Sequence, residues 1–351
     1  MNFKNPKEKI KFVEKKMMQP LKIAINGFGR IGRIAARIIL NHPDLELVAI
    51  NDLSEDVVLA QLFEFDSSQK KFPGIVEDTP HGIAFNGHEV LTFAEKDPEK
   101  LPWGKLGIDV VIESSGFFTS RPLAEKHLIA GAKHVILSAA PKSDDIPTYV
   151  LGVNGHLINK EEKIISNASC TTNCLAPMIK VLEENYKIHS GFFITVHAYT
   201  NDQRLQDGPH NDLRRARAAA VNIIPTTTSA ANALFKVYPH LKNKISGVAD
   251  RVPVINGSLT EFICTAETVP SLEQLNQVFY QAAQDSLKGI MEYTDKPMVS
   301  SDIIGNPHSC VYDSGLANIT GELIKVTGWY DNEFGYSNRL IEMIEMWLLQ
   351  K

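Results

Sequence analysis

One short stretch constrains this chain more than any other, Gly27-Phe28-Gly29-Arg30-Ile31-Gly32. It follows the apolar, β-branched run Leu21-Lys22-Ile23-Ala24-Ile25 and precedes a helical pattern with Ile31, Ala35, Ile38 and Ile39 on one face. A GxGxxG signature alone is weak, but a strand before it and a helix after it is the context it requires. The first glycine permits a tight turn, the second lets backbone approach a pyrophosphate, and the third allows close helix–strand packing. The N-terminus of the following helix then offers free N–H groups and a positive dipole end to phosphates.

A second strand, Glu46-Leu47-Val48-Ala49-Ile50-Asn51, leads to Asp52, 20 residues past Gly32. A ribose-binding acid belongs at that spacing. Asp52 alone reads equally well as a loop residue; the glycine turn decides. A carboxylate there accepts hydrogen bonds from a ribose diol and repels a 2′-phosphate, so NAD is favoured over NADP. Further strand-like runs cover 109–113 and 134–138, with a helical stretch over 122–130 between them. That alternation predicts a doubly wound parallel sheet. Its ligand crevice lies at the carboxyl ends of the strands, where Ser115, Gly116 and Ser138 fall. No internal repeat or low-complexity tract is present.

Composition narrows the function classes. The 351 residues carry 36 Lys+Arg against 41 Asp+Glu, a net charge of −5, which argues against a general nucleic-acid binder. With 44% hydrophobic residues the chain has ample core for two domains and is not intrinsically disordered. Its longest apolar stretches fall well short of the roughly 20 residues a bilayer needs, so no membrane role is expected. The four cysteines are too few for a disulfide framework, the spacing of Cys170 and Cys174 is not a zinc pattern, and no metal is expected. The first sixteen residues hold six lysines and two glutamates with no apolar core of a signal peptide. Residues 1–20 read as a disordered basic extension, or as a segment upstream of a true start at Met17 or Met18. The cytoplasm is the expected compartment.

The second half begins with a thiol. Ile164-Ile165-Ser166-Asn167-Ala168-Ser169 leads into Cys170-Thr171-Thr172-Asn173-Cys174, and a helical pattern runs on through Ile179, Leu182 and Glu183. Ser169 is placed to cap that helix, with Cys170 in its first turn. A thiol there is expected to titrate at roughly 3.5–7.5 instead of about 8.5. Cys174, Cys264 and Cys310 read as core residues. The apolar strand Phe192–Val196 ends in His197, a candidate base, although a lone histidine is more often structural. From Thr200 the composition turns polar and basic, through Asn201–Arg204, Asp212–Arg217, Pro225–Ser229 and Arg251. Hydroxyls and guanidinium groups near a nucleophile suit phosphate oxygens. Arg217 reads as part of a solvated face.

These residues carry a family resemblance. From Leu21 to Lys351 the chain resembles phosphorylating glyceraldehyde-3-phosphate dehydrogenases, through Ile25–Arg33, Ser169–Cys174, His197-Ala198-Tyr199-Thr200 and Trp329-Tyr330-Asp331-Asn332-Glu333, in family order. The resemblance implies a Rossmann-type doubly wound NAD domain (21–169), an α+β catalytic domain (170–333) and a C-terminal helix (334–351) packing on the NAD domain. That last segment shows an apolar face of Leu340, Ile341, Ile344, Trp347 and Leu348. Family members are homotetramers. By motif, Cys170 is the nucleophile and His197 its base. Arg30, Ile31, Asp52, Lys96, Ser138 and Asn332 match cofactor contacts, beside Gly27, Gly29 and Gly32. Thr200 and Arg251 match the site for the phosphate of glyceraldehyde 3-phosphate. Ser169, Thr171, Thr228 and Ser229 match the site for inorganic phosphate, and Arg215, or its neighbour Arg214, a phosphate-site arginine. Ser229 stands where a glycine is usual and would be strained if the loop needed a positive φ. Gly208 precedes Pro209 where NAD-specific relatives often carry an apolar residue. The expected reaction is oxidation to 1,3-bisphosphoglycerate through a cysteine thioester. The nearest alternative is an erythrose-4-phosphate dehydrogenase. A cysteine hydrolase would leave the glycine turn unexplained, and a purely binding role would leave Cys170, His197 and Arg251 unexplained.

Overall fold

A computed structural model describes residues 19–349. The first eighteen residues, and with them most of the proposed basic extension, lie outside the described part. Two eight-stranded sheets dominate. The first contains β1 (Leu21–Asn26), β2 (Leu45–Asn51), β3 (Val76–Thr79), β4 (Gly82–Phe85), β5 (His88–Phe93), β6 (Val110–Glu113), β7 (His134–Leu137) and β8 (Ile164–Ser166), in the spatial order β3-β4-β5-β2-β1-β6-β7-β8. From β5 to β8 all neighbours are parallel. The chain leaves β1 toward β2 on one side and returns to β6 on the other. The strand order therefore reverses between β1 and β6, and a ligand crevice belongs at their carboxyl ends.

Helices α1 (Arg30–Ile39), α2 (Asp56–Glu64), α3 (Trp103–Leu106) and α4 (Arg121–Ile129) lie among these strands. The expected apolar face of α1 is present: Ala35 and Ile39 are buried, and Ile31 and Ile38 pack at the edge of the same core. Ile34 is buried as well. Residues 76–93, which carry no clear periodicity, form the antiparallel ribbon β3-β4-β5 at the sheet edge. Their strands are short, and Glu77, Asp78 and Glu89 interrupt the apolar alternation that marks a strand.

The second sheet is mixed. It is built from β9 (Ile188–Ala198), β10 (Ile224–Thr226), β11 (Ile245–Val252), β12 (Ser258–Ala266), β13 (Met291–Thr294), β14 (Cys310–Asp313), β15 (Asn318–Thr320) and β16 (Leu323–Tyr330). The order is β10-β11-β9-β12-β16-β14-β13, with β15 paired to β16. Helices α5 (Cys170–Tyr186), α6 (Ala230–Val237) and α7 (Leu272–Gln284) share one core with this sheet, through residues such as Leu175, Leu234, Phe279, Phe193 and Phe262. Helix α8 (Phe334–Ile344) and a π-helical turn (Glu345–Leu349) then return to the first sheet's core, where Leu340, Ile341, Ile344 and Trp347 are buried beside α1. No helix among the described residues is long and apolar enough to cross a membrane.

The glycine turn shows why the first domain tolerates so little change there. Gly27 has φ +92°, and a Cβ on it would stand 2.5 Å from Ser115 Cα. A Cβ on Gly32 would stand 2.2 Å from the Gly27 carbonyl oxygen and 3.1 Å from Ile25. Backbone cannot yield as a flexible side chain can. Gly32→Ala is therefore expected to lower stability by about 1–3 kcal/mol, as overpacked sites do. Chemical denaturation of the variant against wild type checks this; an unchanged midpoint would contradict the packing argument.

Candidate active site

The turn after β1 opens a cleft of about 680 Å³ between the two sheets. Gly29 precedes α1 without a side-chain cap, and a Cβ there would meet nothing within 4 Å. The first N–H groups of α1 thus face open space, ready for an anion. Arg30, Ile31, Ser138 and Asn332 line the same cleft. Asn332 is held by Ser258 Oγ, which donates to its Oδ1 at 2.8 Å, and by the Gly257 N–H at 3.2 Å. Asp52 and Lys96 line an adjoining recess beyond the Gly27 turn. The Asp52 carboxylate accepts from the N–H of Phe28 at 2.8 Å and of Ser54 at 3.0 Å, which aims it from the end of β2.

The Arg30 side chain is held by protein groups beside the cleft. Its guanidinium donates to Asp66, Glu333 and Ser68, so it ties α1 to the segment after β16. Burial works against ionising Asp66, yet the Arg30 guanidinium and the N–H groups of Gln69 and Ser68 hold its carboxyl at about 2.

The position of Cys170 is set by a left-handed turn. After β8, Ala168 adopts φ +55°, a left-handed conformation costly for a residue with a Cβ. Its N–H donates to Ser166 Oγ at 3.0 Å, and its carbonyl accepts from Tyr336 OH at 3.1 Å. Ser169 then caps α5, its Oγ accepting from the Thr172 N–H at 3.0 Å. Cys170 is the first residue of α5 and faces the cleft. His197, at the end of β9, reaches it: Nε2 lies 3.4 Å from Cys170 Sγ.

Arg251 stands beside His197 because β11 runs parallel to β9 with Arg251 paired to His197. Its Nη1 is 2.6 Å from His197 Nδ1 and donates to the Ala198 carbonyl at 3.0 Å. That carbonyl is itself 2.7 Å from Nδ1. Guanidinium can only donate and carbonyl can only accept. One neighbour therefore suits a bare Nδ1 with the proton on Nε2, and the other suits Nδ1–H with Nε2 bare. Burial and the Arg251 charge together push His197 down to about 3. Burial also pushes the Cys170 thiol up, against the pull of Arg251 and Thr171. The low thiol pKa expected from the helix start is thus not met here. Half-buried at the cleft wall, the thiol is pushed upward by its surroundings while the imidazole is pushed downward, so both shifts favour the neutral pair.

Ser169, Thr200 and Ser229 line the cleft with Cys170, beside Asp202. Ser229 has φ −78°, so the serine causes no backbone strain. Thr171, Thr228, Arg215 and Arg251 are not among the lining residues and make hydrogen bonds to protein groups, although Arg251 Nε is buried without a partner. Thr171 Oγ1 is 2.9 Å from Tyr330 OH, and Thr228 Oγ1 accepts from the Ala230 N–H at 3.1 Å. Arg215 pairs with Asp202 and donates to Thr226 Oγ1 at 2.8 Å and the Thr227 carbonyl at 3.0 Å. Arg214 is exposed, and Arg217 pairs with Asp207 on the surface, as a solvated face would. Cys174, Cys264 and Cys310 are buried.

Sequence reasoning assigned no role to Asp202, Tyr330, Glu333 or Tyr336. Tyr330 and Glu333 sit within the motif around Asn332, which was a usable signal. Tyr336 lies on a helix face whose periodicity marks only core.

Comparison with known proteins follows the same division. A family model described as glyceraldehyde 3-phosphate dehydrogenase, NAD binding domain, matches residues 21–121, and one described as the C-terminal domain of the same enzyme matches residues 169–332. The chain is similar to glyceraldehyde-3-phosphate dehydrogenase of Thermotoga maritima, 53% identical over 330 residues, covering 93% of this chain and 99% of the relative. The proteins of that name from Clostridium pasteurianum (50%) and Streptomyces coelicolor (49%) each match 92% of this chain and 97% of their own length.

The His197 environment has a consequence for pH. Its pKa is about 3 folded and near 6.5 unfolded, so the unfolded chain binds the extra proton between those values. The stability contributed by its neutral burial is complete above about pH 6.5 and is lost as pH falls toward 3. His197→Asn is expected to lose less stability than wild type between neutral pH and about pH 4.5. Denaturation midpoints at the two pH values test this, and equal losses would contradict it.

Proposed function

The chain belongs to the glyceraldehyde-3-phosphate dehydrogenase family and catalyses the phosphorylating oxidation of glyceraldehyde 3-phosphate to 1,3-bisphosphoglycerate with NAD; within that reaction we propose that Cys170 is the nucleophile and His197 the group that takes its proton. The observation that carries this reading is the 3.4 Å contact between Cys170 Sγ and His197 Nε2 at the wall of the cleft. Erythrose 4-phosphate is the disfavoured alternative.

The cleft suits a dinucleotide. The bare space at Gly29, the capless start of α1 and the Asp52 carboxylate match a pyrophosphate and a ribose diol. In this reading Gly27, Gly29, Gly32 and the main chain of Arg30 and Ile31 hold the phosphates, Asp52 and Lys96 the adenosine half, and Ser138 and Asn332 the nicotinamide half. NAD, when bound, supplies the hydride acceptor.

Cys170 Sγ attacks the aldehyde carbon, forming a C–S bond, while its proton passes to His197 Nε2. That transfer requires a bare Nε2, hence Nδ1–H donating to the Ala198 carbonyl and Arg251 turned away from Nδ1. Thr200 and Arg251 are assigned to the phosphate of the substrate, which gives the guanidinium another partner. The Cys170 N–H and the protonated imidazole stabilise the developing oxyanion. Oxidation leaves a thioester on Cys170. Inorganic phosphate, held by Ser169, Thr171, Thr228, Ser229 and Arg215, attacks the acyl carbon, and Sγ departs. The thioester retains the free energy of oxidation that hydrolysis would lose.

The domain boundaries are assigned at 21–169, 170–333 and 334–351, and the active form is a cytoplasmic homotetramer. Support for self-association comes from apolar side chains left open. Phe192 and Val248 lie exposed on neighbouring strands of the second sheet, and Leu205, Leu213 and Val221 on the loop after Thr200. Nucleic acid and membrane are not assigned as partners.

Cys170→Ser should abolish measurable turnover while NAD binding stays within about threefold, because the hydroxyl is a far weaker nucleophile in the same place. NADH formation at 340 nm and a binding titration read the two effects. A near-wild-type rate would refute the assignment. Light scattering of the wild type should give a mass near that of four chains; a monomer would refute the tetramer.

A further inference from the structure

Beneath the cofactor cleft lies a buried polar network centred on Glu113, the last residue of β6. One oxygen accepts from Asn26 Nδ2 at 2.6 Å and contacts His127 Nε2 at 3.0 Å. The other accepts from the Ser115 N–H at 2.9 Å and from the Ser115 hydroxyl. Behind His127, Trp103 Nε1 donates to Nδ1 at 3.1 Å. The indole N–H can only donate, so Nδ1 carries no proton and His127 presents Nε2–H to Glu113. Every neighbour of the Glu113 carboxyl is then a donor, which is the surrounding of a carboxylate. On the far side, Asn51 Nδ2 donates to Asn26 Oδ1 at 2.7 Å, which brings in β2.

A single carboxylate buried this way is costly, and an apolar residue would serve stability better. What it supplies is direction. It draws both donors of Ser115 down into the core, at the point where Ser115 Cα closes on Gly27. It also links the three strands whose carboxyl ends frame the crevice. Asn26 immediately precedes the Gly27 turn, and Ser115 lines the cleft and the recess beside it.

We propose that Glu113, oriented by His127 and Trp103, is a positioning residue for NAD: it fixes the Gly27 turn and the Ser115 peptide in the geometry that binds the dinucleotide. The inference rests on NAD occupying this cleft. The thiol chemistry lies elsewhere in the cleft and should not depend on Glu113.

The test uses the full-length enzyme with Glu113→Gln, His127→Gln, His127→Leu and the milder Trp103→Phe. NAD affinity comes from fluorescence titration, with KM for NAD, KM for glyceraldehyde 3-phosphate and kcat beside it. Alkylation of Cys170 by iodoacetamide without NAD reports on the thiol separately. Glu113→Gln should weaken NAD binding about tenfold, as expected for a buried donor left unpaired. Its kcat and alkylation rate should stay within about threefold. His127→Gln keeps a donor toward Glu113 and should stay near wild type, whereas His127→Leu should approach Glu113→Gln. Trp103→Phe should fall between, and carries the comparison if His127→Leu does not fold. Unchanged NAD affinity in Glu113→Gln, equal affinity in the two His127 variants, or a loss confined to kcat would overturn the proposal. Failure of the wild type to bind NAD would instead sink the reading of the cleft itself.

Discussion

The chemistry assigned to this protein depends on one contact between side chains 27 residues apart, the Cys170 sulfur against the His197 imidazole. Two independent devices create it. Ala168 accepts a left-handed backbone, at a cost of about 1–2 kcal/mol, so that the chain can leave β8 and enter α5 with Cys170 at its first position. The pairing of β9 with β11 and β12 brings His197 to the same wall. Neither residue is useful without the other. A thiol without a base is a weak nucleophile, and a buried imidazole alone is only a neutral donor or acceptor.

Electrostatics then decide which protonation state the contact holds. Burial disfavours both the thiolate and the imidazolium, and Arg251 favours the first while opposing the second. The arginine therefore acts on the pair in opposite directions. Assigning it to the substrate's phosphate links substrate binding to the state of the base. A guanidinium donating to Nδ1 favours the tautomer with the proton on Nε2; with that guanidinium on a phosphate, the Ala198 carbonyl favours Nδ1–H and a bare Nε2. The C-terminal segment joins both halves of the site. Glu333 clasps Arg30 at the start of α1, and Tyr336 holds the strained carbonyl of Ala168.

Much of this was legible in the chain because it depends on local pattern. The glycine turn, Asp52, the Ser169 cap and the strand ending in His197 all follow from spacing and residue type. What was not legible depends on distant pairing or on burial. Nothing near Arg30 announces that Asp66 and Glu333 take its guanidinium, and nothing near Arg251 announces its place beside His197 on a parallel strand. The upward push on the Cys170 thiol is of the same kind: a helix start is visible in sequence, but the partial burial of Cys170 is not. Glu113 and His127 look like an ordinary strand end and helix residue until the fold sets them together.

In the proposed reaction the oxidised substrate is carried on the Cys170 sulfur. The most direct measurement is to mix enzyme, NAD and glyceraldehyde 3-phosphate without phosphate, quench in acid within one turnover, and map the peptides by mass spectrometry. The expected product is a phosphoglyceroyl thioester on Cys170 that disappears when phosphate is added before the quench. NADH released in the first turnover with Cys170 unmodified, or the acyl group on another residue, would contradict it.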